Sequence, residues 1–149
     1  MKTFKTFLFG ILLLAGTCFA AADAPAASQS GIKDGVFIHL SRGYEDPHRV
    51  LMALWLAEKM SADKDVLVFM DIKGAELALQ GGKDITYAHF PSLHTSLKKL
   101  LDKGVPVLVC PGCLKAAGKK PSDLMKGIQL ADKERFFSFT SGRILTLDY

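Results

Sequence analysis

The chain has little excess charge, and its basic residues form no stripe. Its 149 residues carry 19 basic and 15 acidic side chains, which gives a net charge of +4. A nucleic-acid-binding protein more often shows a basic patch, so we expect no nucleic-acid partner. Hydrophobic residues make up 49% of the chain, enough for one buried core, and this excludes a disordered protein.

Several motifs of familiar enzyme sites are missing. No serine lies in the Gly-x-Ser-x-Gly elbow of the α/β-hydrolases. Gly81 and Gly82 lack the strand and helix that flank a dinucleotide-binding loop. The four histidines, at 39, 48, 89 and 94, show no paired ligand spacing, and a structural zinc ion needs four ligands. We therefore predict no bound cofactor and no zinc site.

One hydrophobic run lies at the amino end. Lys2 and Lys5 precede the apolar residues 7–15, and small residues then accumulate up to Ala22. This is the layout of a cleavable signal peptide, predicted over residues 1–22 with cleavage after Ala20 or Ala22. The run is short for a membrane span, so we expect no membrane anchor after cleavage and a periplasmic or secreted protein. Residues 23–33 are rich in Ala, Ser and Pro, which predicts a flexible tether.

Cysteine is scarce, and cleavage changes what the count means. Of the three cysteines, Cys18 would leave with the signal peptide, so Cys110 and Cys113 remain in an exported domain over residues 34–149. The same cleavage removes two lysines and no acids, which lowers the net charge from +4 to +2. The mature protein therefore carries one vicinal cysteine pair and almost no net charge.

Short apolar runs alternate with helical patterns through the domain. Continuous apolar runs predict buried strands of a mostly parallel, Rossmann-like α/β sheet of about five strands, covered by helices on both faces as a three-layer sandwich. We expect strands at 36–40, 66–70, 105–109, 128–130 and 144–147. Helices are expected from Asp46 to about Met60, within 71–80, from Ser92 to Gly104, from the cysteines to Gly118, from a Ser122 cap to Met125, and over 132–139.

The motif Cys110-Pro111-Gly112-Cys113 directly follows the third predicted strand. The carboxyl ends of parallel strands are where functional groups gather in open α/β sheets. A helix beginning at this point would direct backbone N–H groups at the sulfurs and favour a thiolate, and Lys115 in the next turn would add positive charge. A thiolate there can attack a disulfide or accept a sulfane sulfur as a persulfide.

Other interpretations of this motif stay open at this point. Thioredoxin-like disulfide exchange is the strongest, although such proteins carry the motif earlier and place proline before the second cysteine. A purely structural disulfide would close too small a loop to stabilise much. Cu(I) is satisfied by two thiolates, so a soft-metal module is a third alternative. His48, near the start of a helix at the same sheet edge, is a candidate substrate-binding residue. His39 lies on a predicted buried strand, which indicates a core histidine.

In order and spacing, the chain resembles the DsrE/DsrF-like proteins of sulfur relay from about Gly35 to Tyr149. The features that carry this resemblance are the first strand with Gly43-Tyr44-Glu45-Asp46-Pro47, the strand 66–70, the segment 104–114 with Gly118, and the terminal 145–149. The resemblance implies a compact α/β sandwich assembled as a homotrimer or homohexamer. It also implies a cysteine that carries sulfur as a persulfide.

The same resemblance assigns roles to the two cysteines. In the family the acceptor cysteine follows a strand and precedes a glycine by eight residues, which fits Cys110 and Gly118 and leaves Cys113 as the resolving thiol. His48 and Lys115 are the substrate-binding candidates.

The expected function is carriage of sulfane sulfur between donor and acceptor proteins or small sulfane-sulfur compounds. Whether the protein turns over as a sulfurtransferase-like enzyme stays open. Well-understood members are cytoplasmic, so an export signal argues against a role in tRNA thiolation.

Overall fold

A parallel five-stranded sheet in the order β4-β3-β2-β1-β5 forms the centre of the molecule. The computed structural model describes residues 31–149, so the predicted signal peptide and most of the tether lie outside the described residues. The strands are β1 (Gly35–Leu40), β2 (Asp65–Met70), β3 (Val107–Val109), β4 (Gln129–Leu130) and β5 (Ile144–Asp148). The helices are α1 (Pro47–Met60), α2 (Leu93–Asp102), α3 (Pro111–Ala116) and α4 (Lys133–Ser138).

The larger core lies between one face of the sheet and the helices α1 and α2. Ile38, Leu54 and Leu97 are fully buried in this layer. Both helices begin where the sequence predicts, because Asp46 accepts a hydrogen bond from the Arg49 N–H and Ser92 accepts one from the Thr95 N–H. This layer holds most of the buried apolar area and fixes the carboxyl ends of β1, β2 and β3 beside one another.

The opposite face of the sheet is covered less completely. Within residues 31–149 the six-residue helix α4 lies over it, and Phe136 packs against Phe37 and Phe69 with ring centroids 5.6 and 4.8 Å apart. Phe37 and Phe69 remain half-buried. The predicted α/β sandwich with a parallel sheet is confirmed, with a thin second layer.

Three of the expected elements differ in detail. The third strand begins at Val107 rather than Val105, because Pro106 has no N–H for the ladder, although its carbonyl still accepts from Val68. The helix expected within residues 71–80 is a 3-10 helix at Gly74–Ala78. The third difference is the short helix expected from Ser122 to Met125, which is a 3-10 turn at Pro121–Asp123.

The prediction that Ser122 caps that piece is wrong. The segment Pro121–Asp123 is one 3-10 turn whose N-cap is Lys120, so Ser122 lies inside it. Pro121 occupies the first position because its fixed φ suits a helix start, and the Asp123 carboxylate accepts from the Lys120 N–H at 2.8 Å. Among the described residues, no helix is long and apolar enough to cross a membrane.

Candidate functional site

The cysteine pair lies at the junction of β3 and α3, at the carboxyl edge of the sheet. Cys110 is the N-cap of α3, and Pro111 occupies the first helical position. The Cys110 N–H donates to the Met70 carbonyl at 2.9 Å, which extends the pairing of β3 with β2 by one residue. The first cysteine is therefore held by the sheet and the second by the helix.

The two sulfurs interact within this single turn. The Cys113 N–H donates to Sγ of Cys110 at 3.4 Å. Both residues are free thiols and half-buried. Burial raises the pKa of the Cys113 thiol, its hydrogen bond to Cys110 raises it further, and the Asp71 carboxylate acts in the same direction. This arrangement favours Cys113 as the thiol that keeps its proton.

A tight turn after β2 forms the wall beside Cys113. The backbone N–H of Ile72 lowers the pKa of Cys113 and so partly opposes the effects that raise it. Ile72 adopts φ +44°, a left-handed conformation that is costly for a β-branched residue, and its side chain is 63% exposed. Gly74 closes the turn, and a Cβ there would lie 2.1 Å from the Leu40 carbonyl oxygen, so this position requires glycine.

His39 lies between two carboxylates at the same edge of the sheet. Its Nδ1 is 2.7 Å from Oδ1 of Asp148, and its Nε2 is 3.0 Å from Oδ2 of Asp71. Burial lowers the pKa of His39, but the two carboxylates more than offset this, and the net pKa is above its usual value. The ring also stacks on Phe69, with centroids 5.7 Å apart.

Sequence reasoning missed the partners of His39. The apolar neighbours of His39 indicated a core histidine, whereas its side chain is 29% exposed and ion-paired. Asp71 and Asp148 could have been found from the strand pattern, because each stands at or just after the carboxyl end of a strand that neighbours β1. Parallel strands bring such residues to one edge.

An apolar groove of about 600 Å³ opens beside Cys110 on the thinly covered face of the sheet. Phe37, Phe69, Phe136 and Cys110 are among the residues that line it. Phe137 and Ile144 at its rim are exposed. A reagent or partner that reaches the first sulfur from this side meets mostly aromatic rings, with Asp132 and Lys133 as the charged residues of the lining.

The remaining predicted site residues lie away from these contacts. Lys115 is exposed in the last turn of α3, and in the described part of the chain no hydrogen bond or ion pair joins it to either sulfur. His48 is exposed near the start of α1, and its ring stacks on Tyr87 at 4.6 Å. Their roles in substrate binding stay predictions. Residues 31–149 contain no cluster of three or more metal-ligating side chains.

Fold and site together define a parallel α/β sandwich with a pair of thiols at the carboxyl edge of its sheet. Two solved structures share this fold. The YchN protein of E. coli aligns over 78% of this chain and 100% of its own, with a TM-score of 0.58 and 21% identity. A protein of unknown function from Methanobacterium thermoautotrophicum aligns over 77% of this chain and 99% of its own, with a TM-score of 0.57 and 14% identity.

The sequence comparisons define the family. The model of the DsrE/DsrF-like family matches residues 34–141, and the chain belongs to this family, whose members generally take part in sulfur relay. An uncharacterized protein of Methanocaldococcus jannaschii is 30% identical over 98 residues, which cover 65% of this chain and 35% of that protein. The match thus spans about a third of the length of that relative.

Proposed function

We propose that the protein carries sulfane sulfur as a persulfide on Cys110 and passes it to an acceptor thiol, with Cys113 as the resolving thiol. The observation that carries this proposal is the hydrogen-bonded pair at the β3–α3 junction, in which Cys113 is the thiol with the raised pKa. Cys110 accepts a backbone N–H and lines the open groove, which suits a nucleophile.

The sulfur transfer requires a donor persulfide, the thiols of Cys110 and Cys113, and an acceptor thiol. The Cys110 thiolate attacks the outer sulfur of a donor persulfide, a Cys110–sulfur bond forms, the donor S–S bond breaks, and the donor leaves as a thiolate. An acceptor thiolate then attacks the outer sulfur of the Cys110 persulfide, takes that sulfur and releases the Cys110 thiolate. Alternatively, Cys113 attacks the inner sulfur, which forms the Cys110–Cys113 disulfide and releases hydrosulfide.

Mass spectrometry after incubation with polysulfide tests this proposal. Each added sulfur increases the mass of the modified peptide by about 32 Da, and we expect the increment on Cys110. Cys110→Ser should lose it and Cys113→Ser should retain it. The proposal fails if wild-type protein takes up no sulfur, or if Cys110→Ser takes up as much as the wild type.

A thiol–disulfide redox protein is the second candidate function. The contact between two free thiols in one turn favours it, because a C-x-x-C pair in this position can cycle between dithiol and disulfide. Rapid reduction of a test disulfide, combined with no sulfur uptake, would establish this function instead. Cu(I) titration, with the double cysteine variant as control, tests the soft-metal alternative.

We propose that the protein is exported. The support is the sequence of residues 1–22, with two lysines before an apolar run and small residues after it. Fractionation of the source cells and determination of the mature amino terminus test this, with a start at Ala21 or Asp23 as the expected result. Retention of Met1 in a cytoplasmic fraction would contradict it.

We also propose that the protein is a homo-oligomer, a trimer or a hexamer. Its support is the edge strand β5, which presents Ile144 and Leu145 at 48% and 55% exposure next to the exposed Phe137. An unpaired edge with exposed apolar side chains is a typical contact surface between chains. Partner proteins that give or take sulfur would reach Cys110 through the groove on the same side.

A further inference from the structure

The apolar groove beside Cys110 has the size and the position of a small-molecule site. Its volume of about 600 Å³ lies within the range of ligand pockets in proteins. In the parallel register Phe37 stands opposite Thr146, and Phe69 stands opposite Leu108. Side chains alternate between the two faces of a sheet, so Cys110, two residues after Leu108, comes to the same face. The first sulfur and the groove therefore share one side of the sheet.

Three aromatic rings give this groove its apolar surface. The ring centroids of Phe37 and Phe69 are 6.0 Å apart, and Phe136 lies within 5.6 Å of the first and 4.8 Å of the second. All three side chains are half-buried, so part of each ring still faces water. A ligand with an apolar body gains free energy by covering these rings. Divalent sulfur also makes favourable contacts with aromatic rings.

The two charged residues of the lining, Asp132 and Lys133, carry opposite charges. Both oxygens of Asp132 are engaged by Arg135, since Oδ1 accepts from the backbone N–H at 2.9 Å and Oδ2 is 2.7 Å from Nη1. Lys133 is exposed, and a lysine can keep its ammonium group in water while its stem lies along an apolar surface. An anion that entered the groove would lose hydration without meeting a buried cation. The lining therefore suits an uncharged ligand.

We propose that the groove binds the uncharged, apolar body of a small organic persulfide and holds its outer sulfur against Cys110. This donor class rests on the function proposed above, because only a sulfur carrier needs a sulfur donor. Aromatic and aliphatic persulfides fit the lining. Thiosulfate and persulfides of charged thiols gain no contact from it.

The reaction with such a donor uses no further group. The Cys110 thiolate attacks the outer sulfur of the bound persulfide, and a bond forms between Sγ and that sulfur. The S–S bond of the donor breaks, and its electron pair leaves with the apolar thiol as a thiolate. The hydrogen on the outer sulfur stays with it, so Cys110 ends as a protonated persulfide.

Two donors that differ only in a remote charge test the proposal. Benzyl persulfide and para-carboxybenzyl persulfide have the same reacting sulfurs and the same ring, but the second carries a carboxylate. Sulfur uptake by Cys110 is followed by peptide mass spectrometry in Cys113→Ser protein, in which Cys113 cannot discharge the persulfide. Transfer to β-mercaptoethanol in free solution gives the intrinsic ratio of the two rates. We expect the protein to favour the benzyl donor over that ratio about fivefold or more.

A lysine placed in the groove should remove this preference. Thr146 is exposed, lines the groove and stands opposite Phe37, so Thr146→Lys brings a positive charge to the carboxylated ring. We expect the preference to fall below about twofold. Tyr87→Lys adds the same charge in the loop before α2 and should keep the full preference. A general change in the reactivity of Cys110 affects both donors equally and cancels in the ratio.

Competition provides a second measurement that needs no groove variant. Benzyl methyl sulfide is uncharged, has no S–S bond and cannot give sulfur. It should slow uptake from benzyl persulfide and leave uptake from the carboxylated donor unchanged. If Thr146→Lys does not fold, this competition decides.

Equal preference in the protein and in free solution, or no competition by the sulfide, would overturn the inference. Either result would mean that the groove holds something else, such as a second copy of the chain or a segment of a partner protein. The proposed function would still stand in that case, provided that Cys110 takes up sulfur from polysulfide. No uptake from polysulfide or from either donor would instead contradict the proposed function itself.

Discussion

The backbone N–H of Cys113 donates to Sγ of Cys110 across 3.4 Å, so the two cysteines are in direct contact within the first turn of α3. The first sulfur accepts from the helix backbone, whereas burial and the interaction with Cys110 raise the pKa of the second. This asymmetry distinguishes two thiols that are only three residues apart, and it makes the pair open to titration experiments.

Removing the first thiol should make the second more acidic. Part of the raised pKa of Cys113 comes from its hydrogen bond to Cys110, so Cys110→Ala should lower that pKa. The ultraviolet absorbance of the thiolate, measured against pH, reports the change. Cys110→Ser keeps a hydroxyl acceptor and should give a smaller shift. A Cys113 pKa that does not fall in Cys110→Ala would show that burial, not Cys110, governs this thiol.

Gly74 should tolerate no side chain. A Cβ there would lie 2.1 Å from the Leu40 carbonyl, which is backbone and cannot rotate away. We expect Gly74→Ala to lower the free energy of unfolding by about 3 kcal/mol. Gly81→Ala is the matched control, since its Cβ would meet no atom within 4 Å and only its φ of +66° opposes the change. That variant should lose about 1 kcal/mol in urea unfolding. Equal losses would refute the steric explanation.

Asparagine should be better than isoleucine at position 72. The left-handed φ of +44° is unfavourable for a β-branched residue, and 63% of the Ile72 side chain is exposed, so little burial is lost. We expect Ile72→Asn to raise the free energy of unfolding by about 1 kcal/mol. Ile32→Asn, at an exposed isoleucine for which no positive φ occurs, should bring no gain. A loss at position 72 would mean that the Ile72 side chain has contacts that outweigh the strain.

Stability should depend on pH through His39. The pKa of His39 is raised in the folded protein, so its ion pairs stabilise the fold fully below the unfolded pKa of about 6.5 and are lost as pH rises through the folded value. Urea unfolding at several pH values should therefore show a decline above about pH 6.5 that His39→Gln lacks. If the variant follows the same pH dependence as the wild type, another group is responsible.

Charge on the edge strand should disrupt self-association. Leu145 is 55% exposed on β5, and a lysine there would place a charge in the contact surface proposed above. Light scattering on size-separated protein should show a trimer or hexamer for the wild type and a smaller species for Leu145→Lys. Tyr87→Lys introduces the same charge at an exposed hydrophobic residue elsewhere, in the loop before α2, and should leave the assembly intact. A monomeric wild type would contradict the oligomer proposal.

The sheet could be predicted from the sequence because its strands are continuous apolar runs. Val66 to Met70, for example, is bounded by polar residues on both sides and lies in β2 as expected. The starts of α1 and α2 could also be predicted from the sequence, because the side chains of Asp46 and Ser92 each cap the first turn of their own helix. Local rules of this kind need no knowledge of the fold.

The relation of His39 to the two carboxylates could not be read in the same way. Asp148 is 109 residues away in sequence, and only the position of β5 beside β1 brings it to the ring. The left-handed conformation of Ile72 was also invisible, because no residue preference indicates it and the surrounding turn imposes it. The cysteine motif itself was evident, but the position of Asp71 at the same edge depends on the order of the strands.

The pairing of β5 with β1 has a practical consequence for work on this protein. Since β5 is parallel to its neighbours, the chain leaves the sheet after Asp148 at the same edge as the cysteines, and the Tyr149 N–H is bonded to the His39 carbonyl. An affinity tag or fluorescent label fused after Tyr149 would emerge beside the thiols and could shield them from reagents and partners. A label placed before β1 enters from the opposite edge and leaves that approach open.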